Sequence, residues 1–148
     1  MIKSVFPTAN EIGFSKRGRT TFQGARAPVW PGRCVGWWVE YQRLGPAGRV
    51  ESYADVLVTL YGTHAQALVA LSEPLGIPTV TLANGARARV APAQGWVGSV
   101  IGNVHISSTS SFLPAKNGIP DFKGGPDLSL AALMRIHRTI HANVLRLR

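Results

Sequence analysis

The sequence predicts an α+β protein: an antiparallel sheet of about five strands, one short helix, a long C-terminal amphipathic helix and an extended N-terminal arm. Three observations predict it. Apolar and polar residues alternate with period two over 35–42 and again over 50–61, which is the pattern of strands with one core face. An Asn84-Gly85 pair stands between two β-prone runs, and both residues tolerate the positive φ of a tight hairpin turn. Residues 127–147 repeat their apolar positions at helical spacing.

Taken in order, residues 1–34 show no sustained periodicity. Pro7, Gly13, Gly18, Gly24, Pro28, Pro31 and Gly32 interrupt any regular element, so this stretch is expected to be a long arm with one short strand near Thr20. In the first strand Val35, Trp37, Val39 and Tyr41 form one face and Gly36, Trp38, Glu40 and Gln42 the other. A turn at 44–48 leads into a second, longer strand, and the two are expected to form a hairpin. Thr63 and Gln66 fit a capping box for a short helix that Pro74 and Gly76 end. The Asn84-Gly85 hairpin follows. Residues 96–106 then alternate as a fifth strand, in which Gly98 and Gly102 imply close packing or a bulge. Residues 107–126 are expected to be irregular, and Asp127 caps the last helix. Three regions result: a basic arm (1–34), a neutral α+β core (35–110), and a linker with the C-terminal helix (111–148).

The last helix has two faces. Leu130, Leu133, His137, Ile140, His141, Val144 and Leu147 gather on one side, and Arg135, Arg138 and Arg146 on the other with Ala142. The apolar stripe must be buried, either on its own sheet or on a neighbouring subunit. His137 and His141, four apart, have a spacing that can hold a metal. The hydrolytic zinc motif also needs Glu after its first His, and here Arg138 stands there. The expectation is therefore no metal and no cofactor, with His137, Ile140, His141 and Val144 at a subunit interface.

Net charge is +9, from 16 Lys and Arg against 7 acidic residues, and it is unevenly spread. Residues 1–34 hold Lys3, Lys16, Arg17, Arg19, Arg26 and Arg33 against Glu11, a surplus of +5. Residues 35–110 are balanced, and residues 111–148 carry +4. Arg outnumbers Lys by 12 to 4, and the guanidinium fork suits two-point pairing with phosphate or carboxylate. Lys16-Arg17-Gly18-Arg19 with Phe22, and Arg26 near Trp30, interleave cations with aromatic rings. Lys16, Arg17, Arg19, Arg26, Arg135, Arg138 and Arg146 are thus the candidate contacts to nucleic acid or an acidic partner. Trp30 and Trp38 are candidate interface aromatics.

Catalytic patterns are missing. Ser107, Ser108, Ser110, Ser111 and Cys34 are possible nucleophiles, and His64 and His105 possible bases, but no spacing selects a set. Phosphate loops of known spacing are absent. Residues 117–123, Asn-Gly-Ile-Pro-Asp-Phe-Lys, resemble the Ser-Gly-Ile-Pro-Asp-Phe-Arg segment of the sirtuin deacylases over seven positions. That family's glycine-rich loop upstream is not matched, and the 25 residues after Lys123 are too few for a cofactor domain, so no site is carried over. A single Cys excludes an internal disulfide and fits a reducing compartment. No apolar run reaches the length of a signal peptide or a membrane span.

The expected function is non-enzymatic: a structural subunit of a multi-subunit assembly, most concretely a virion protein of capsid, decoration or tail-connector type. Its arms would bind neighbouring copies and other structural subunits. Neither a membrane nor a small-molecule substrate is expected, and the location would be the virion, or the cytoplasm for a non-viral protein. The alternative is a protein that binds DNA, RNA or the ribosome through its basic arms; a small enzyme with an unrecognised site comes third.

Overall fold

The computed structural model describes residues 5–23, 33–72, 79–81, 87–91, 95–111 and 130–147. Among these, eight strands form one antiparallel sheet: β1 (Lys16–Arg17), β2 (Thr21–Gln23), β3 (Arg33–Leu44), β4 (Val50–Tyr61), β5 (Thr79–Thr81), β6 (Arg87–Ala91), β7 (Trp96–Ile101) and β8 (Val104–Ser111). The order across the sheet is β1-β3-β4-β8-β7-β6-β5, with β2 also paired to β3. Helix α1 (His64–Ser72) lies on one face, over the end of β4 and strands β7 and β8. Helix α2 (Leu130–Arg146) lies on the other, over β7 and β8. The α+β class, the antiparallel sheet and both helices are as expected, with more strands than five.

The β3–β4 hairpin pairs Val39 with Val56 and Tyr41 with Ala54, and all four are fully buried on the α2 side. Its turn is closed by the Gly48 N–H donating to the Gly45 carbonyl at 3.0 Å, and φ of +71° at Gly48 explains that glycine. Thr63 and Gln66 cap α1 reciprocally: the Thr63 N–H donates to Gln66 Oε1 at 3.0 Å, and the Gln66 N–H to Thr63 Oγ1 at 3.2 Å. β5 and β6 pair as the Asn84-Gly85 signal implies, although the turn itself lies outside the described residues.

Two expectations about strands are corrected. The single strand over 96–106 is a hairpin that reverses at Gly102 and Asn103, where Gly102 has φ of +55°. Asn103 secures the reversal by accepting from the Tyr61 N–H and donating from Nδ2 to the Tyr61 carbonyl, both at 2.8 Å. Residues 107–111 are not irregular: they continue β8 and pair with β4 from Ser107↔Leu57 to Ser111↔Tyr53. A run of Ser and Thr carries no apolar alternation, so periodicity could not reveal it. The remainder of that connection, the sirtuin-like residues 117–123 and Asp127 lie outside the described residues.

The larger correction concerns the N-terminal segment. Residues 5–23 are not an extended arm. Val5, Phe6, Ile12 and Phe14 are buried in one cluster with Val39, Tyr41, Ile136, Ile140 and Val144. A 3-10 turn at Asn10–Ile12 shapes the segment, and Thr8 and Glu11 exchange hydrogen bonds across it. Tyr41 Oη donates to the Pro7 carbonyl at 2.8 Å, and Asn143 Nδ2 to the Val5 carbonyl at 2.9 Å. Irregularly spaced apolar residues can be placed by turns as firmly as periodic ones are by helices, but only tertiary structure shows it. The three expected regions therefore contribute to one core.

Candidate functional site

Helical spacing puts His137 and His141 on the same face of α2, and that face is turned into the protein. Beneath it, alternation on β7 and β8 directs Ser99 and Ser108 toward the helix, where both are 0% exposed. Four polar side chains meet there in an otherwise apolar layer. Ser99 Oγ lies 2.6 Å from His137 Nε2 and 3.0 Å from His141 Nδ1, and Ser108 Oγ lies 2.8 Å from His137 Nδ1. The two rings are 6.4 Å apart at 49°.

Proton counting shows how the cluster is satisfied. In one arrangement Ser99 donates to His137 Nε2, His137 Nδ1–H donates to Ser108, and His141 Nδ1–H donates to Ser99. Reversing the chain is the alternative. Both leave the histidines neutral, and both leave His141 Nε2 without a partner among the described residues. Burial pushes His137 down to about 3, and neighbouring His141 and His105 add to the effect. Burial lowers His141 as well. His105, on the opposite face with its ring edge toward Tyr61 at 6.5 Å, is pushed down to about 4 by burial.

A serine 2.6 Å from an imidazole has the spacing of a nucleophile and its base. Here the serine is sealed from solvent, and the far ring nitrogen meets a hydroxyl instead of an orienting carboxylate. The cluster's evident work is to join α2 to the sheet. No group of three His, Cys, Asp or Glu that could hold a metal ion occurs among the described residues.

The remaining sequence candidates fall into separate places. His137, Ile140, His141 and Val144 belong to the interior of their own chain, at 0%, 0%, 2% and 5% exposure, so they form no subunit interface. Burying Leu133, Ile136, Ile140 and Val144 stabilises the packed helix by roughly 1.5–3 kcal/mol each, which holds the stripe on its own sheet. Arg17 is half-buried, donates to the Phe6 carbonyl at 3.3 Å and to Thr20 Oγ1 at 3.1 Å, and sits 6.0 Å from the Phe6 ring. It fastens the N-terminal segment. Lys16 and Arg19 are exposed, as are Arg135, Arg138 and Arg146 on the outside of α2. Arg146 bonds to Asn143 Oδ1; the hydrogen bonds from Thr8 lower the Glu11 carboxyl, and Arg146 adds to that. Trp38 is half-buried on the face away from α2. Arg26 and Trp30 lie outside the described residues.

Ser99 was missed, and Ser108 and His105 were named only as a possible nucleophile and a possible base, without being joined to His137 or His141. The available signal was indirect: two histidines in an apolar helical stripe need buried polar partners, and Ser108 and Ser110 continue the inward alternation begun by Ile106.

No helix among the described residues is long and apolar enough to cross a membrane. No protein-family model and no curated protein matches the chain. Among solved structures the chain is similar in fold to the extracellular domain of PknH from Mycobacterium tuberculosis. The TM-score is 0.54 at 11% identity, and the likeness covers 97% of this chain and 94% of that one.

Proposed function

We propose that this chain is a non-enzymatic subunit of a larger assembly that meets acidic partners through the outer face of α2. One observation carries the reading. The inner face of α2 is used up by its own core, while the outer face presents Arg135 and Arg138, and the helix contains no acidic residue. In its most concrete form the assembly is a virion, with the chain as a capsid, decoration or tail-connector subunit. The single-sign surplus of +9 supports such crowded acidic surroundings. So does Phe22, 61% exposed on the short strand β2, where an aromatic ring is available to a neighbour. The contacts are made by a folded surface, since Val5, Phe6, Ile12 and Phe14 anchor the N-terminal segment in the core. Light scattering and electron microscopy of the purified chain test this: rings or particles are expected, and a strict monomer at all concentrations refutes the assembly reading.

A second reading is nucleic-acid binding outside a shell. The spacing of Arg135 and Arg138 favours it, because residues three apart are neighbours on a helix surface and can meet adjacent phosphates. Binding of the monomer to generic DNA, weakening steeply with salt, would select this reading over the first.

A further inference from the structure

We infer that the Ser99–His137–His141–Ser108 cluster is an acid-sensitive latch, and that acidification frees α2 from the sheet while the strands stay paired. The geometry supplies both parts. Among the described residues, the polar ties of α2 to the sheet and the N-terminal segment include the three serine–histidine contacts and the bond from Asn143 to the Val5 carbonyl. Strands β3, β4, β7 and β8, by contrast, are joined by continuous backbone ladders.

Hydrogen-bond capacity sets how many protons the latch accepts. With one proton added, His137 donates from Nε2 to Ser99 and from Nδ1 to Ser108, and Ser99 turns its hydroxyl to His141 Nδ1. A second proton gives His141 an Nδ1–H that also points at Ser99. The Ser99 hydrogen then has no acceptor in the cluster, and two buried cations stand with ring centres 6.4 Å apart.

The surrounding charges do not relieve this. On α2 itself Arg135, Arg138 and Arg146 are outward. His105 of β8 acts on His137 with the same sign. On β3, Tyr41 is committed to the Pro7 carbonyl and Arg43 lies over the Phe14 ring. Glu11 of the 3-10 turn is held by Thr8 and lies near Arg146. Asp55 of β4 and Arg89 of β6 alternate onto the opposite face. Once α2 leaves, both rings are hydrated, and Leu133, Ile136, Ile140 and Val144 are uncovered.

Hydrogen exchange on the full chain at pH 7.5 and 5.0, corrected for intrinsic rates, tests the latch. One histidine of unfolded pKa 6.5 favours the released state by about 30-fold at pH 5.0. Protection of α2 amides is therefore expected to fall by at least about 30-fold and to lie well below that of β3, β4 and β8 amides, which exchange only when the paired strands open. The double variant His137→Gln with His141→Asn keeps an amide at the two positions that face Ser99 without titrating, and should show the same α2 protection at both pH values. Should that variant not fold, the wild-type imidazole resonances decide, because the His137 and His141 signals must titrate together with the loss of α2 protection. Variant His105→Gln should still release α2. Unchanged α2 protection, equal protection of α2 and β4 at pH 5.0, loss while both rings stay neutral, or a latch abolished by His105→Gln would each overturn the proposal.

Discussion

The side-chain amide of Asn143 donates a 2.9 Å hydrogen bond to the carbonyl of Val5, joining positions 138 apart in sequence. Around this contact the two ends of the chain share one apolar cluster. Removing residues 1–15 should therefore unfold the protein or reduce it to a loosely packed state. Val5, Phe6, Ile12 and Phe14 together contribute roughly 6–12 kcal/mol of burial, comparable to a whole domain's net stability. Circular dichroism and urea denaturation of the truncated chain check this. A cooperative transition at the wild-type midpoint would mean that the segment is dispensable, as an extended arm would be.

Ser99 serves two histidines and Ser108 serves one, so the two serines should differ in importance. Ser99→Ala is expected to cost about 2–4 kcal/mol and Ser108→Ala about 1–2 kcal/mol, because each leaves buried ring nitrogens without partners. Chemical denaturation at pH 7.5 measures both, and the reverse order would contradict the network as drawn.

Global stability should decline in acid. A histidine held below its unfolded pKa of 6.5 binds protons more readily in the unfolded chain. Its contribution is full above pH 6.5 and is lost as pH falls toward the folded value, about 3 for His137 and about 4 for His105. At pH 5.0 each group accounts for a loss of about 2 kcal/mol. Urea midpoints taken from pH 8 to 4.5 should be flat at first and then fall. A midpoint that rises in acid would rule out buried neutral histidines.

Trp96 lies over Gly98, and its indole Nε1–H donates to Ser107 Oγ at 2.7 Å. A Cβ at position 98 would overlap the indole ring, and Leu71 of α1 is only 3.2 Å from the same point. Gly98→Ala should displace the ring and cost about 1–3 kcal/mol, as overpacking does. A changed Trp96 emission spectrum with lowered stability is the expected signature.

Arg135 and Arg138 are exposed, and reversing them tests the outer face of α2 without touching the core. The pair Arg135→Glu and Arg138→Glu should leave stability within about 0.5 kcal/mol while abolishing assembly or acidic-partner binding. Full retention of both would remove this face from consideration.

The fold was legible in the sequence wherever periodicity was strong. Val39, Tyr41, Val56 and Ile140 face inward as their spacing implies, and Thr63 with Gln66 caps α1. It was not legible where burial depends on distant partners. Val5 and Phe6 have no repeat to reveal them, and Ser108 and Ser110 look like loop residues until β4 is placed beside them. The candidate site was half visible. His137 and His141 were singled out together, but their partners lie 29 to 42 positions away on strands whose hydroxyl residues break the apolar pattern.

Strand β8 pairs with β4 along eight registered positions, from Tyr53↔Ser111 to Leu60↔Val104. The sheet is thereby the union of two meanders that are each local in sequence, β3–β4 and β5 through β8. Each can form early from near neighbours, whereas their docking closes a large loop and rewards it only once complete. Because α2 lies C-terminal to both meanders, Val5 and Phe6 are synthesised well before the Ile136, Ile140 and Val144 that cover them. A chain lacking α2 would leave Val5, Phe6 and the inner sheet face without the cover of Ile136, Ile140 and Val144.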